Sequence, residues 1–170
     1  MNIAVCGSGT NGDSAILSQA KEMGKEIARH KHTLLTGGCP GYPYAALRGA
    51  LLQRGKIIVY SPAKNQEEHE HRYGFPIDEG VEYIYTGLGI PERNIPLVKA
   101  ADIVVILDGQ IGTLNEFTIA FNEKKKIAVL EAGRLHEVIP RIAEICNKKG
   151  EKEGIIYEKE MKNLIKKIVL

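Results

Sequence analysis

The sequence predicts an α/β domain in which a mainly parallel sheet lies between two layers of helices, a three-layer α/β/α sandwich. Short β-branched runs alternate with longer segments of helical periodicity, and three of these runs end in glycine clusters. The run at residues 103–107 is apolar throughout, so it needs cover on both faces. Such alternation is typical of parallel strands joined by helical crossovers. We therefore expect a single Rossmann-like domain across residues 1–170.

Hydrophobic runs and turn residues predict the individual strands. They lie at residues 3–6, 33–36, 56–60, 82–85, 103–107 and 126–130, with a short strand near residues 155–156. The strands are short and rich in β-branched or aromatic residues, and glycine, proline or charged clusters end most of them.

Apolar residues at helical spacing predict the intervening helices. In the first, at residues 13–30, one stripe is formed by Ile16, Ala20, Met23 and Ile27. Others are predicted at residues 45–54, 94–100, after residue 113, 136–147 and 159–168. Residues 61–75 are polar and bounded by proline, and we predict a long loop or lid there, called the lid segment below.

Three glycine clusters follow predicted strands: Gly7-Ser8-Gly9, Gly37-Gly38-Cys39-Pro40-Gly41 and Asp108-Gly109-Gln110-Ile111-Gly112-Thr113. We expect them to converge on one crevice, because ligands of open α/β sheets bind at the carboxyl ends of the strands. Glycine lets the backbone approach a phosphate, and a helix start donates amides to it. Each loop alone is equally explained as a turn, but together they predict binding of a small-molecule nucleotide. The G-x-G-x-x-G and Walker motifs are absent, which disfavours NAD binding and ATP hydrolysis.

The charge of the chain and the spacing of its cysteines limit the kinds of binding partner and the cellular compartment that we expect. With a formal net charge of +2 and no basic block, the chain lacks the signature of a nucleic-acid-binding protein. Its three cysteines are widely spaced without a C-x-x-C pair, which disfavours disulfides and zinc sites and suits a reducing cytoplasm. No apolar run approaches the roughly 20 residues that span a bilayer. We expect a cytoplasmic protein without nucleic-acid or membrane partners.

The segment from Asp108 to Glu116, DGQIGTLNE, resembles the P-G-G-x-G-T-x-x-E signature of the Lonely Guy (LOG) proteins, long labelled lysine decarboxylases. Arg93, in the segment IPERN, lies where that family has the arginine of an M-x-x-R-K motif, and the resemblance spans about residues 3–131. It implies hydrolysis of the N-glycosidic bond of a nucleoside 5′-monophosphate, with Arg93 and Glu116 as the catalytic pair. It also implies a homodimer, and a 5′-phosphate held by Gly109, Gly112 and Thr113.

Arg93 and Glu116 suit hydrolysis of an N-glycosidic bond, but each residue can also be explained by a purely structural role. A carboxylate can stabilise an oxocarbenium-like centre or activate water, and arginine, which stays protonated, can orient groups or steady negative charge. Thr113 and Glu116 also fit a capping box at a helix start, and Arg93 could form merely a surface ion pair with Glu92. No lysine stands out in the matched loops, which disfavours a pyridoxal-dependent decarboxylase, and no cofactor is predicted.

Four positions depart from the LOG pattern: Asp108 replaces proline, Gln110 glycine, Asn94 lysine and Asn115 a common glutamate. A carboxylate at Asp108 would repel a nearby phosphate. The wider superfamily includes molybdenum cofactor carriers and relatives of DNA processing protein A. A carrier needs the phosphate site but no hydrolytic groups, so non-catalytic binding of a nucleotide or of the pterin cofactor is the alternative function.

The lid segment contains two histidines among acidic residues, in EEHEH at residues 67–71. Imidazole and carboxylate are good metal ligands, but His69 and His71 point apart in a helix and no second pair supports them. We therefore predict no metal site and expect the lid segment to cover the crevice, with His69 in reach of a ligand. Cys6 and Cys39 are predicted to pack in the core, since no histidine partner is evident.

Overall fold

A computed structural model describes residues 1–10, 12–146 and 154–169, and strands alternate with helices along these ranges. The strands are β1 (Asn2–Cys6), β2 (Thr33–Thr36), β3 (Ile57–Ser61), β4 (Glu82–Tyr85), β5 (Ile103–Ile106), β6 (Lys126–Leu130) and β7 (Ile155–Glu158). The helices are α1 (Ser14–Arg29), α2 (Tyr42–Leu52), α3 (Gln66–His71), α4 (Gly89–Ala100), α5 (Ile111–Asn122), α6 (Leu135–Cys146) and α7 (Met161–Val169).

The strands form one sheet in the order β4-β3-β2-β1-β5-β6-β7, and every neighbouring pair is parallel. The predicted fold class is confirmed. The chain builds outward from β1 to β4 and then returns to the other side of β1 with β5. Strand order therefore reverses between β1 and β5, which is where open α/β sheets bind their ligands.

Side chains that alternate along the central strands bury both faces of the sheet. In β1, Ile3 and Val5 pack with α1, α2 and α7, while Ala4 and Cys6 pack with α4, α5 and α6. All of these residues are almost fully buried. The three-layer arrangement thus follows from apolar strands that need helices on each side.

One predicted loop and the starts of three predicted helices differ from the structure; among the helices, α2 begins at Tyr42 rather than at residue 45. The lid segment, predicted to be a loop, contains α3, whose start is capped by the side chain of Asn65. Helix α4 begins at Gly89 rather than at residue 94, because proline is tolerated in a first turn. Helix α5 begins before Thr113. The predicted helix at 136–147 is α6, and its last residue, Asn147, lies outside the described residues.

Among the described residues, the helices are too short or too polar to cross a bilayer.

Candidate functional site

A crevice of about 260 Å³ opens at the carboxyl ends of β1 and β5. This volume lies just below the roughly 300–1,000 Å³ range of small-molecule sites. All three glycine clusters contribute residues to it, as the convergence of strand ends requires. The lining residues are Gly7, Ser8, Gly9, Thr10, Cys39, Phe75, Ile90, Arg93, Asn94, Gln110, Ile111, Gly112, Thr113 and Glu116.

The three helices that follow the clusters differ in how their starts are satisfied. The carboxylate of Asp13 accepts hydrogen bonds from the amides of Ala15 and Ile16 at the start of α1. The first amide of α2, at Tyr42, donates to the carbonyl of Ser8. Helix α5 has no side-chain cap at Gln110, and its first turn lines the crevice. Because the first amides of a helix lack partners within it, α5 offers donors to an anion.

The second glycine cluster supports the crevice from behind. Gly37, Gly38 and Gly41 do not line it, although Cys39 between them does. Gly41 has φ 76°, and a Cβ there would overlap the carbonyl of Ser8, so glycine is required for the two loops to pack together. At Gly37 a Cβ would overlap the guanidinium of Arg93.

Asp108 and Gly109, which we predicted in the phosphate site, lie beside the crevice rather than on its surface. The Asp108 carboxylate accepts hydrogen bonds from the amides of Arg134 (3.1 Å) and Leu135 (3.2 Å), where α6 begins. Its carbonyl accepts from the amide of Ser8 at 2.7 Å, which joins the first and third clusters. The carboxylate is thus hydrogen-bonded to the start of α6. It does not line the crevice, so it is not placed to repel a phosphate there, although we expected such repulsion from the sequence.

Arg93 and Glu116 meet in the crevice, 3.9 Å apart between Nη1 and Oε1. Both side chains are buried, so Arg93 does not form the surface ion pair considered from the sequence. Nε and Nη1 of Arg93 have no hydrogen-bond partner among the described residues. Since buried polar groups are almost always paired, either water or a ligand atom can serve as the partner of these two donors.

Burial controls the protonation of Glu116. It raises the pKa of the carboxyl to about 7, against the opposing effects of the Arg93 charge and a hydrogen bond with the thiol of Cys6. Glu116 lies within α5 rather than at its first turn, and the helix has no side-chain cap, so the capping box is not formed. A carboxyl with this pKa can both hold and release a proton near neutral pH.

The two cysteines beside this pair are unreactive thiols. Burial raises the pKa of Cys39 to about 11 and the pKa of Cys6 well above its usual value. Both stay protonated at neutral pH, whereas the thiolate is the nucleophile. Cys6 is a core residue as predicted, but Cys39 is half-buried and lines the crevice.

Asn94 is a crevice residue that the sequence did not mark as functional. Its side chain is buried, and Nδ2 donates to Oδ1 of Asn115 at 2.8 Å, which ties α4 to α5. Oδ1 of Asn94 has no hydrogen-bond partner among the described residues. The sequence did offer one signal, because Asn94 and Asn115 both depart from the LOG pattern.

The lid segment reaches the crevice through Phe75 rather than through a histidine. His69 is fully buried; its Nδ1 lies 2.7 Å from Oγ of Ser61 and its Nε2 lies 3.2 Å from the carbonyl of Pro76. Its ring also packs edge-on against Phe75. Both ring nitrogens are therefore engaged within the protein, and Phe75 forms one wall of the crevice.

Comparison with known proteins gives relatives of the same fold. The molybdenum cofactor carrier protein of Chlamydomonas reinhardtii is 26% identical, with a TM-score of 0.79 over 98% of this chain and 94% of that chain. The molybdenum cofactor binding protein of Rippkaea orientalis is 26% identical, with a TM-score of 0.76 over 99% and 96%. An uncharacterized protein of Archaeoglobus fulgidus is 28% identical over 86% of this chain and 94% of its own.

DNA processing protein A of Helicobacter pylori is a more distant structural match. It is 17% identical, with a TM-score of 0.71 over 99% of this chain and 80% of that chain, and shows the fold alone. The family model named SLOG cluster4 family matches residues 1–165. The chain therefore belongs to the SLOG cluster4 family.

Proposed function

We propose that this protein binds a phosphorylated small molecule in the crevice without transforming it, and that the molybdenum cofactor, a pterin that bears a phosphate, is the first ligand to test. The observation that carries the proposal is the uncapped start of α5 at Ile111, Gly112 and Thr113. Three amides without partners in the helix and the positive end of its dipole suit a phosphate group.

The rest of the crevice supports a ligand larger than phosphate. Phe75 and Ile90 supply an apolar wall, and Arg93 and Asn94 supply buried polar atoms that lack partners. A few polar groups within a mostly apolar pocket are typical of small-molecule sites. The 26% identity to two structures named as molybdenum cofactor proteins, over nearly the whole chain, supports the pterin cofactor as that ligand.

The phosphate site can be tested with a matched pair of substitutions at Gly112. A Cβ at this position would meet no other atom within 4 Å, so both variants should fold. Gly112→Asp places a carboxylate at the start of α5, which stabilises the helix but repels an anion, whereas Gly112→Ala adds only a methyl group.

The assay mixes each protein, without oxygen, with molybdenum cofactor freshly released from a molybdoenzyme. Molybdenum and oxidised pterin that co-elute in gel filtration measure binding. We expect the native protein and Gly112→Ala to retain the cofactor, and Gly112→Asp to lose affinity by about 10-fold or more. Equal retention by both variants would place the phosphate elsewhere, and no retention by the native protein would reject the cofactor.

A second candidate is the nucleoside 5′-monophosphate phosphoribohydrolase activity that the LOG resemblance implies. It is favoured by one observation: Glu116, with a pKa of about 7, shares the crevice with Arg93 at 3.9 Å. A carboxyl that exchanges protons near neutral pH is suited to general acid–base catalysis. Two departures from the LOG pattern, Asn94 and Asn115, contact each other beside this pair, so a neutral amide pair stands where that family has lysine and commonly glutamate.

Incubation with a panel of nucleoside 5′-monophosphates separates the two candidates. Release of free base that disappears in Glu116→Gln would support the hydrolase, because the amide keeps the shape of the side chain but cannot take up a proton. Binding of a nucleotide without release of base would support a non-catalytic binding protein. Glu92→Gln, an exposed residue of α4, is the control.

A further inference from the structure

The side chain of Asn94 presents a buried hydrogen-bond acceptor that the protein itself does not use. Only 1% of the residue is exposed, and Oδ1 has no partner among the described residues. A buried acceptor without a donor is costly, so it marks a place where a partner is expected. Asn94 lines the crevice, and a bound ligand can supply that partner.

The orientation of the amide follows from its neighbours. Nδ2 of Asn94 lies 2.8 Å from Oδ1 of Asn115 and 3.4 Å from the carbonyl oxygen of Gly112. A carbonyl oxygen can only accept, so the amino group of Asn94 faces Gly112 and Oδ1 is left on the other side. Flipping the amide would bring two oxygens together at Gly112.

The position of Asn94 relates this acceptor to the proposed phosphate site. Gly112 belongs to the first turn of α5, and its carbonyl is within reach of the Asn94 amide. Asn94 therefore borders the turn whose amides would hold the phosphate, with its amino group toward that turn and Oδ1 on the opposite side of the amide. Arg93, next to it on α4, offers only donors. Asn94 is a buried neutral acceptor among the crevice residues.

We propose that Oδ1 of Asn94 is a specificity-determining acceptor that selects phosphomonoesters bearing a hydroxyl or amino group close to the phosphate. This inference rests on the proposed function, since it assumes that the start of α5 holds the phosphate. A site built around a hydrogen bond rejects an analogue that lacks the donor, because its buried group is then left unpaired.

Three small probes test the selection: ethyl phosphate, 2-hydroxyethyl phosphate and 2-aminoethyl phosphate. They differ only in the substituent on the second carbon, which is hydrogen, hydroxyl or ammonium. We expect the native protein to bind one or both donor-bearing probes about 10-fold more tightly than ethyl phosphate, as measured by NMR titration. Which of the two binds more tightly distinguishes a hydroxyl donor from an amino donor.

Two variants assign the effect to Asn94. In Asn94→Leu the acceptor is lost, and we expect the preference over ethyl phosphate to fall to about 1-fold while ethyl phosphate itself still binds. Asn94→Ala removes the same acceptor without adding bulk or charge, so the preference should fall in the same way; this variant tests the proposal if Asn94→Leu does not fold.

The outcomes separate this inference from the proposed function. Equal binding of all three probes to the native protein, or an unchanged preference in Asn94→Leu or Asn94→Ala, would overturn the role of Asn94 alone. Failure of every probe to bind the native protein would overturn the phosphate site at α5, and the role of Asn94 with it.

Discussion

Gly37 provides the space that the guanidinium group of Arg93 occupies. Gly37 is the first residue after β2, and a Cβ at this position would overlap Nη1 of Arg93. The same guanidinium lies 3.9 Å from Glu116. A glycine that the sequence marks as part of a phosphate loop thus makes room, from behind the crevice, for a charged side chain that lines it.

Gly37→Ala should weaken ligand binding more than it weakens the fold. The added methyl group pushes the end of a flexible side chain, so we expect the free energy of unfolding to fall by about 1 kcal/mol. The displaced guanidinium should lower affinity for a phosphorylated ligand by about 10-fold. Urea unfolding and calorimetric titration measure the two effects, with Glu92→Gln, an exposed position on α4, as the control. Unchanged affinity would show that Arg93 does not contact the ligand.

Glu116 should make the protein less stable as the pH rises. Burial raises its pKa to about 7 from an ordinary 4.5, so between these values the folded state holds a proton that the unfolded state has released. Stability then falls with increasing pH until about pH 7 and levels off above it. From pH 5 to pH 8 the loss is on the order of 2–3 kcal/mol.

Glu116→Gln should remove this dependence, because glutamine does not titrate. The measurement is urea unfolding of both proteins at pH 5 and pH 8, with Glu92→Gln as an exposed control. We expect the stability of the native protein relative to Glu116→Gln to decrease between the two values. If the difference stays constant, the carboxyl is already ionised at pH 5.

His69→Ala should destabilise the lid segment. The substitution removes one hydrogen-bond partner each from the Ser61 hydroxyl and the Pro76 carbonyl and takes away the ring that packs against Phe75. We expect a loss of about 2–3 kcal/mol in the free energy of unfolding. His71→Ala, at an exposed position two residues on, should change stability by no more than about 0.5 kcal/mol. Similar values for both variants would refute the anchoring role of His69.

Asp108→Ala should act on α6 rather than on ligand binding. Its carboxylate accepts from the amides of Arg134 and Leu135, and loss of such a cap costs about 1 kcal/mol. Asp108→Asn keeps an acceptor oxygen and should cost less. We expect both variants to bind a phosphorylated ligand with affinity within about 2-fold of the native protein, since the side chain faces away from the crevice. A marked gain in affinity would mean that Asp108 does repel the phosphate.

The periodicity of the sequence was sufficient to predict the architecture. Continuous apolar runs such as β1 and β5 indicate strands that are buried on both faces of a sheet. This property can be predicted from a few consecutive residues. The LOG resemblance implied that Arg93 and Glu116 act as a pair, and their side chains lie 3.9 Å apart. Parallel topology brings the ends of the strands to one edge, so loops far apart in sequence had to converge.

Tertiary packing alone decided which side chains and backbone groups face the crevice at that edge. Phe75 reaches the crevice because His69 is buried, and the Asp108 carboxylate turns away because α6 begins beside it. Among the three helix starts that follow the clusters, only α5 lacks a cap or a carbonyl partner. These outcomes depend on side-chain directions and on contacts between residues distant in the chain, which periodicity does not encode. The sequence by itself determined that the three loops meet at one crevice; the packed structure determined which polar atoms of that crevice are left without partners among the described residues.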